Sequence, residues 1–227
     1  MHNTVMIVLS IRDIKSVKDC IDNLKCEKIW FRGYTEHELA PLINEFVQNS
    51  NFENYFIVSD DLVIKSHGFD LLVDGLSRHK IVTGWGMIRQ NTNYTTATRP
   101  EKFLKNTIFK PVTFMPTLIN NTYEYAYRTN EINALPDEFE TAFTGWFYTG
   151  MKRHILLEYP YQCLNAPLAS SDLIFSRRVL ADGKYKQICF KQAQAIHLSN
   201  SFHLYGNHGF LKFHELPINT KEIIKTF

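Results

Sequence analysis

No stretch of the sequence approaches the roughly 20 consecutive apolar residues that a membrane-spanning helix needs. Nor is there an excess of charge of one sign. Lys plus Arg number 25 against 23 Asp plus Glu, a formal net charge of +2. Such a balance gives no support for a nucleic-acid partner, which draws on a basic surplus. Cysteine is scarce: Cys20, Cys26, Cys163 and Cys189, with no CxxC spacing. They read as reduced, buried thiols rather than a disulfide frame or a zinc site. The apolar start MHNTVMIVLS has no basic leader and no small-residue cleavage site, so it reads as a buried strand. A cytoplasmic location is the expectation. Asn93-Tyr94-Thr95 and Asn120-Asn121-Thr122 have the Asn-x-Thr form, which without an export signal is read as chance. Repeats, low-complexity tracts and long linkers are absent, so 227 residues are expected to form one domain. Walker A, GxGxxG, HExxH and GxSxG patterns are absent as well.

What is present is an alternation of two periods. Val5 to Leu9 is a continuous apolar run, the mark of a strand buried on both faces. Val17, Cys20, Ile21 and Leu24 share one helix face. Ile29 to Phe31 is a second strand. Thr35 and Glu38 have capping-box spacing, and Leu39, Leu42, Ile43, Phe46 and Val47 follow at helical period. Tyr55 to Val58, then Phe69, Leu72, Val73 and Leu76, then Ile81 and Val82 repeat the pattern. Strand alternating with helix predicts a sheet with parallel strands and helical crossovers. In such sheets ligands gather beyond the carboxyl ends of the strands. Residues 87 to 140 are rich in Asn, Thr, Tyr and Pro, and predict loops and short strands over a cleft.

Three places can carry chemistry. Asp60-Asp61 follows the third apolar strand, and two carboxylates there offer hard oxygen ligands for Mg²⁺ or Mn²⁺. A solvated turn or helix cap is the structural alternative. Asp172, in Ser170-Ser171-Asp172 before an apolar run, can serve as a general base or simply cap a helix. His197 ends the short run Ala195-Ile196-His197 and is either a core residue or a metal ligand. Arg12, Arg89, Lys152, Arg153, Arg177 and Arg178 are available for a diphosphate. Trp146, Phe147 and Tyr148 would either offer an apolar face to a sugar or pack in the core.

Four stretches in this order, VMIVLSIRD, NYFIVSDDLVI, FTGWFYTGMKRHILLEYP and SSDLIFSRRVLADGKYKQICFKQAQAIHLS, resemble the GT-A glycosyltransferases over about residues 4 to 199. The resemblance implies a single α/β, Rossmann-like GT-A fold, a central mostly parallel mixed sheet flanked by helices. It divides the chain into a nucleotide-binding half (1–86), an acceptor-side half (87–202) and a peripheral tail (203–227). It implies transfer of a sugar from a nucleotide-sugar donor to a glycan or other hydroxyl acceptor, assisted by Mn²⁺ or Mg²⁺. Asp61 aligns with the last acid of the family's DxD motif, which binds metal and diphosphate. Asp60 takes the middle position, toward ribose or sugar, and Ser59 replaces the first acid. Asp172 aligns with the general base of a Glu-Asp pair whose first member is Ser171 here. A base there implies inversion at the anomeric carbon. His197 aligns with a further metal ligand. Arg12 and Arg32 are expected near the nucleotide, Gly145 and Trp146 on the acceptor side. Two other readings stay open. A sugar-nucleotidyltransferase would carry a glycine-rich loop where Ser10-Ile11-Arg12-Asp13 stands. A degenerate GT-A-like binding module would explain Ser59 and Ser171.

Overall fold

The computed structural model describes residues 3–87, 93–106, 125–142, 146–162, 171–198 and 220–226. The first half follows the expected alternation. Strand β1 is Thr4–Ser10, helix α1 Lys15–Asp22, β2 Glu27–Arg32, α2 Glu36–Asn49, β3 Asn54–Ser59 and β4 Leu62–Val63. Helix α3 (Ser66–Gly75) and β5 (Ile81–Trp85) complete it. Thr35 opens α2 as its spacing predicts: both its backbone N–H and its hydroxyl donate to Glu38 Oε2, at 3.0 and 2.9 Å. The second half contributes β6 (Tyr94–Thr98), α4 (Pro100–Asn106), β7 (Ala126–Arg128), α5 (Thr129–Ala134), β8 (Glu138–Thr141) and β9 (Thr149–Lys152). Helices α6 (Arg153–Glu158) and α7 (Ser171–Asp182) follow, then β10 (Gln187–Gln194), β11 (Ile196–His197) and β12 (Glu222–Thr226). The stretch expected to hold only loops and short strands thus also carries α4 and α5.

The main sheet has eight strands in the order β12-β2-β1-β3-β9-β5-β10-β8. Strands β1, β2, β3, β5 and β10 run one way, and β8, β9 and β12 run against them. Strand β1 shows why its sequence is apolar throughout. Val5, Ile7 and Leu9 face the core under α2, α6 and α7, whereas Met6 and Val8 face the core under α1 and α3. A period of two serves two layers of helices at once. Each fully buried Val, Ile or Phe contributes roughly 1.5–3 kcal/mol.

Within the stretch expected as a peripheral tail, of which residues 203–219 lie outside the described residues, Glu222–Thr226 pairs antiparallel with β2 as an edge strand of the main sheet. Its alternation of half-buried and exposed residues suits an edge, and the exposed Lys225 puts a charge on the strand that discourages further pairing.

The chain passes from β1 outward to β2, then returns to place β3 on the other side of β1. The crevice at the carboxyl ends of β1 and β3 is therefore the switch point of the sheet, where ligands of open α/β folds bind. Register levels the strand ends there: Ser10 lies beside Arg32, and Leu9 beside Ser59. Gly33 turns the chain just beyond β2 with φ of 74°, which favours glycine, and its N–H donates to the Ser10 carbonyl at 2.8 Å.

Candidate functional site

Asp60 and Asp61 form the turn between β3 and β4, directly over the switch point. Asp60 reaches back to β1. Its Oδ2 accepts from the backbone N–H of Ile11 at 2.8 Å and of Arg12 at 2.7 Å. Its Oδ1 accepts from Arg12 Nε at 3.1 Å and from Arg12 Nη2. Four donors from one loop take up this carboxylate, so it clamps the β1 loop. Burial pushes its pKa up, opposed by Arg12. Arg12 Nη2 also stands 3.3 Å from Asp61 Oδ2, and all three side chains are 11% exposed or less. Burial works against the charge on Arg12, but the two carboxylates outweigh it and keep its pKa above the ordinary value.

Asp61 has different neighbours. The Ser59 hydroxyl donates to its Oδ1. His197 Nε2 stands 3.3 Å from its Oδ2. The short ladder of β4 and β11 delivers His197: Ile196 pairs with Val63, His197 with Leu62, and Leu198 N–H donates to the Asp61 carbonyl at 2.8 Å. Burial opposes ionisation of Asp61, but His197, Arg12 and Ser59 outweigh it and hold its pKa well below the usual carboxylate range. On the other side of the ring, His197 Nδ1 lies 3.2 Å from the Met87 carbonyl oxygen. A carbonyl only accepts, so this bond places a hydrogen on Nδ1 and leaves Nε2 facing Asp61. Two acceptors at 3.3 Å are compatible only with a proton or a cation between them. A divalent ion with ligands at about 2.1 Å holds adjacent donors about 3 Å apart, so the Asp61–His197 pair fits such an ion. Among the described residues no group of three or more His, Cys, Asp or Glu side chains is placed to hold a metal. The pair would therefore depend on ligand oxygens to complete a shell.

Asp172 enters through Trp146. The Trp146 carbonyl accepts from Ser59 N–H at 2.9 Å, and the Trp146 N–H donates to Asp172 Oδ2 at 3.0 Å. One residue thus links the end of β3 to the first turn of α7. Asp172 Oδ1 also accepts from the N–H of Leu173 at 2.7 Å. Asp172 thus sits in the first turn of α7, tied through Trp146 to the end of β3. The half-buried Trp146 ring packs edge-on to Tyr161, with centroids 5.8 Å apart.

The remaining expected residues are placed as follows. Gly145 and Arg89 lie outside the described residues. Arg32 turns to the sheet edge: its Nη1 pairs with Glu222 on β12 at 2.8 Å, and Nη2 lies 3.5 Å from Asp13. Phe147 and Tyr148 are core residues; the edge of one ring meets the other where Phe147 packs on His197, with centroids 5.1 Å apart. Lys152 and Arg153 sit at the opposite end of the sheet, beside Asn54 at the start of β3. Two participants escaped sequence reasoning. The Met87 carbonyl is backbone and leaves no residue signal. The Ser59 hydroxyl was visible, but only as a missing acid.

The structure is similar to that of A197 from STIV. The match covers 87% of this chain and 85% of A197, with a TM-score of 0.54 and 13% identity. TarS from S. aureus, residues 1–349, matches over 88% of this chain and 61% of its own length, with a TM-score of 0.46 and 9% identity. No family model and no characterised protein matches the sequence. At this identity the likeness to A197 is one of fold. The chain has a GT-A-like fold, α/β and Rossmann-like, with a mixed sheet between helical layers. Among the described residues no helix is long and apolar enough to cross a membrane.

Proposed function

We propose that this chain is a glycosyltransferase that moves a sugar from a nucleotide-sugar donor to a hydroxyl of a glycan or other acceptor. One observation carries the reading. Arg12, Asp61 and His197 converge at the switch point, with Asp172 linked to the same turn through Trp146. Breaking a sugar–phosphate bond leaves negative charge on a nucleoside diphosphate, so the site needs positive charge where the leaving group forms. Arg12 is the permanent cation there. Its Nε and backbone N–H stay on Asp60, while Nη2 can exchange Asp61 Oδ2 for a phosphate oxygen. Asp61 Oδ2 and His197 Nε2 would hold Mn²⁺ or Mg²⁺. When bound, such an ion neutralises charge on the diphosphate. The Met87 carbonyl fixes the His197 tautomer that this requires. Asp172 would take the acceptor's hydroxyl proton, with two backbone N–H groups fixing its carboxylate. That role implies inversion at the anomeric carbon.

A second reading is a GT-A-like module that only binds. It is favoured by Arg12, which already neutralises both carboxylates of the turn. A thermal-shift panel of UDP, GDP, CDP and TDP, each with and without Mn²⁺, separates the two. A ligand at 100 times its Kd adds about 2.7 kcal/mol to the native state. For the enzyme, one nucleotide gives an Mn²⁺-dependent rise that Asp61→Asn removes. Asp172→Asn keeps that rise but slows sugar release from the donor by about 10²–10⁴. Folded protein with no shift at millimolar ligand would reject the transferase.

A further inference from the structure

A cavity of about 760 Å³ opens at the end of the sheet opposite the acidic turn. Its wall includes Glu53, Lys80, Lys152, Arg153 and His154, with Phe52 and Leu157 supplying apolar surface. Strand β3 begins at this cavity with Asn54 and ends at Ser59 beneath Asp60. At about 3.3 Å per residue the two sites are roughly 17 Å apart, too far for one small ligand to share. We infer that this cavity binds a phosphate-bearing organic molecule, held by Lys80, Lys152 and Arg153. The inference does not rest on glycosyl transfer.

Backbone pairing builds the basic wall in advance. Lys152 N–H donates to the Lys80 carbonyl at 3.1 Å, and Arg153 N–H to the Glu53 carbonyl at 3.0 Å. The three cationic residues therefore come from two chain segments, locked beside a third that carries Glu53. Arg153 is braced by the carbonyls of Val47 (3.2 Å) and Gln48 (3.1 Å) at the end of α2. Lys152 pairs with Glu53 at 2.7 Å, the one carboxylate of the wall. Lys80 is exposed and makes no ion pair among the described residues. Three permanent cations thus face one carboxylate, and the surplus is what a multiply charged anion neutralises. The volume suits an organic molecule rather than a bare ion, and Phe52 and Leu157 give its carbon skeleton a surface.

His154 reports the local field. Burial lowers its pKa, and Lys80, Lys152 and Lys184 lower it further against the opposing charge of Glu158. Its other neighbour is the Tyr185 ring, with centroids 6.0 Å apart. An anion seated between Lys80 and Lys152 would remove this repulsion and raise the His154 pKa.

The test uses the whole chain without added metal and inorganic tripolyphosphate as the probe. Binding is followed by calorimetry and by the His154 ring signals in NMR. Wild type and Asp61→Asn should bind alike, with the His154 titration moving to higher pH. Lys80→Glu, at an exposed position, should weaken binding at least tenfold with an unchanged melting midpoint, and Lys152→Gln should weaken it too. Phosphatidylglycerol vesicles distinguish the source of the phosphate. Competition by vesicles assigns it to a lipid headgroup, and tripolyphosphate binding that vesicles leave untouched assigns it to a soluble molecule. The inference is overturned by any of three results: no binding at millimolar tripolyphosphate, binding that survives both lysine changes, or binding lost in Asp61→Asn.

Discussion

Replacing Arg12 by methionine tests the charge arrangement of the site most directly. The change keeps a long apolar stem and removes only the guanidinium. Asp60 keeps its two backbone donors but loses Arg12 Nε and Nη2, at a position where its side chain is 4% exposed. Breaking a buried pair on one side costs about 3–5 kcal/mol. Protonation of the orphaned carboxyl sets a ceiling on that cost. Holding a carboxyl neutral at pH 7, about three pH units above its unfolded value, costs about 4 kcal/mol at 1.36 kcal/mol per unit. At pH 5 the same ceiling is about 1.5 kcal/mol. The sign follows from linkage: a carboxyl whose folded pKa lies above the unfolded one destabilises the fold increasingly as pH rises between the two values. Burial already pushes Asp60 in that direction, and loss of Arg12 pushes it further. Asp61 contributes less, because His197 and Ser59 remain in contact with it. Urea unfolding of Arg12→Met should therefore show a loss of several kcal/mol, at most about 4, at pH 7 that shrinks to at most about 1.5 kcal/mol at pH 5. Arg12→Met combined with Asp60→Asn should recover most of it. A loss below about 1 kcal/mol at pH 7, a loss independent of pH, or no recovery in the double variant would refute the reasoning.

Two further outcomes follow from packing and burial. A Cβ at Gly84 would collide with the Ala193 carbonyl oxygen and the Tyr148 ring, so Gly84→Ala should destabilise by about 3 kcal/mol in the same urea assay; a loss under 1 kcal/mol would mean that β5 and β10 are not packed as described. Burial pushes the Cys26 thiol up to about 11. At pH 8 its thiolate fraction is then about two hundredfold below that of an unfolded chain, and iodoacetamide labelling followed by peptide mapping should show that ratio. Labelling of native Cys26 at the unfolded rate would count against its burial.

The elements legible in the sequence are those whose signal is local. The run from β1 to β5 alternates strands buried on two faces with helices buried on one, and each leaves its own period over five to fourteen residues. Thr35 and Glu38 announce α2 because a cap needs only four positions. Strand β9 is different. It lies between β3 and β5, antiparallel to both, and Gly150 fits there because the Phe56 ring fills the space a Cβ would take. That requirement is set by a strand almost a hundred positions earlier. Strand β12 was hidden for the same reason, since five residues of a half-exposed edge look like a tail until β2 is beside them. The site divides likewise. Asp60, Asp61, Asp172 and His197 stand out because each ends a strand or opens a helix. Their pairings do not: β12 draws Arg32 to Glu222, and the β1 loop turns Arg12 to Asp60.

Those pairings change the meaning of the two serines. A glycosyltransferase lacking acids at 59 and 171 looks impaired if each acid is counted as a ligand. Position 59, however, touches Asp61, and Arg12 is the one permanent cation shown paired with Asp60 and Asp61. A third carboxylate about 4 Å from Asp61 would add repulsion of roughly 4 kcal/mol at an effective dielectric of 20. The Ser59 hydroxyl instead donates to Asp61 Oδ1, which helps hold Asp61 ionised and leaves Oδ2 for His197. Ser171 is fully buried at the start of α7, where a glutamate would bring an added buried charge. Serine at both positions is thus what this charge arrangement favours. In the proposed reaction each remaining carboxylate then has a single role, with Asp60 holding the β1 loop, Asp61 serving the donor side and Asp172 the acceptor.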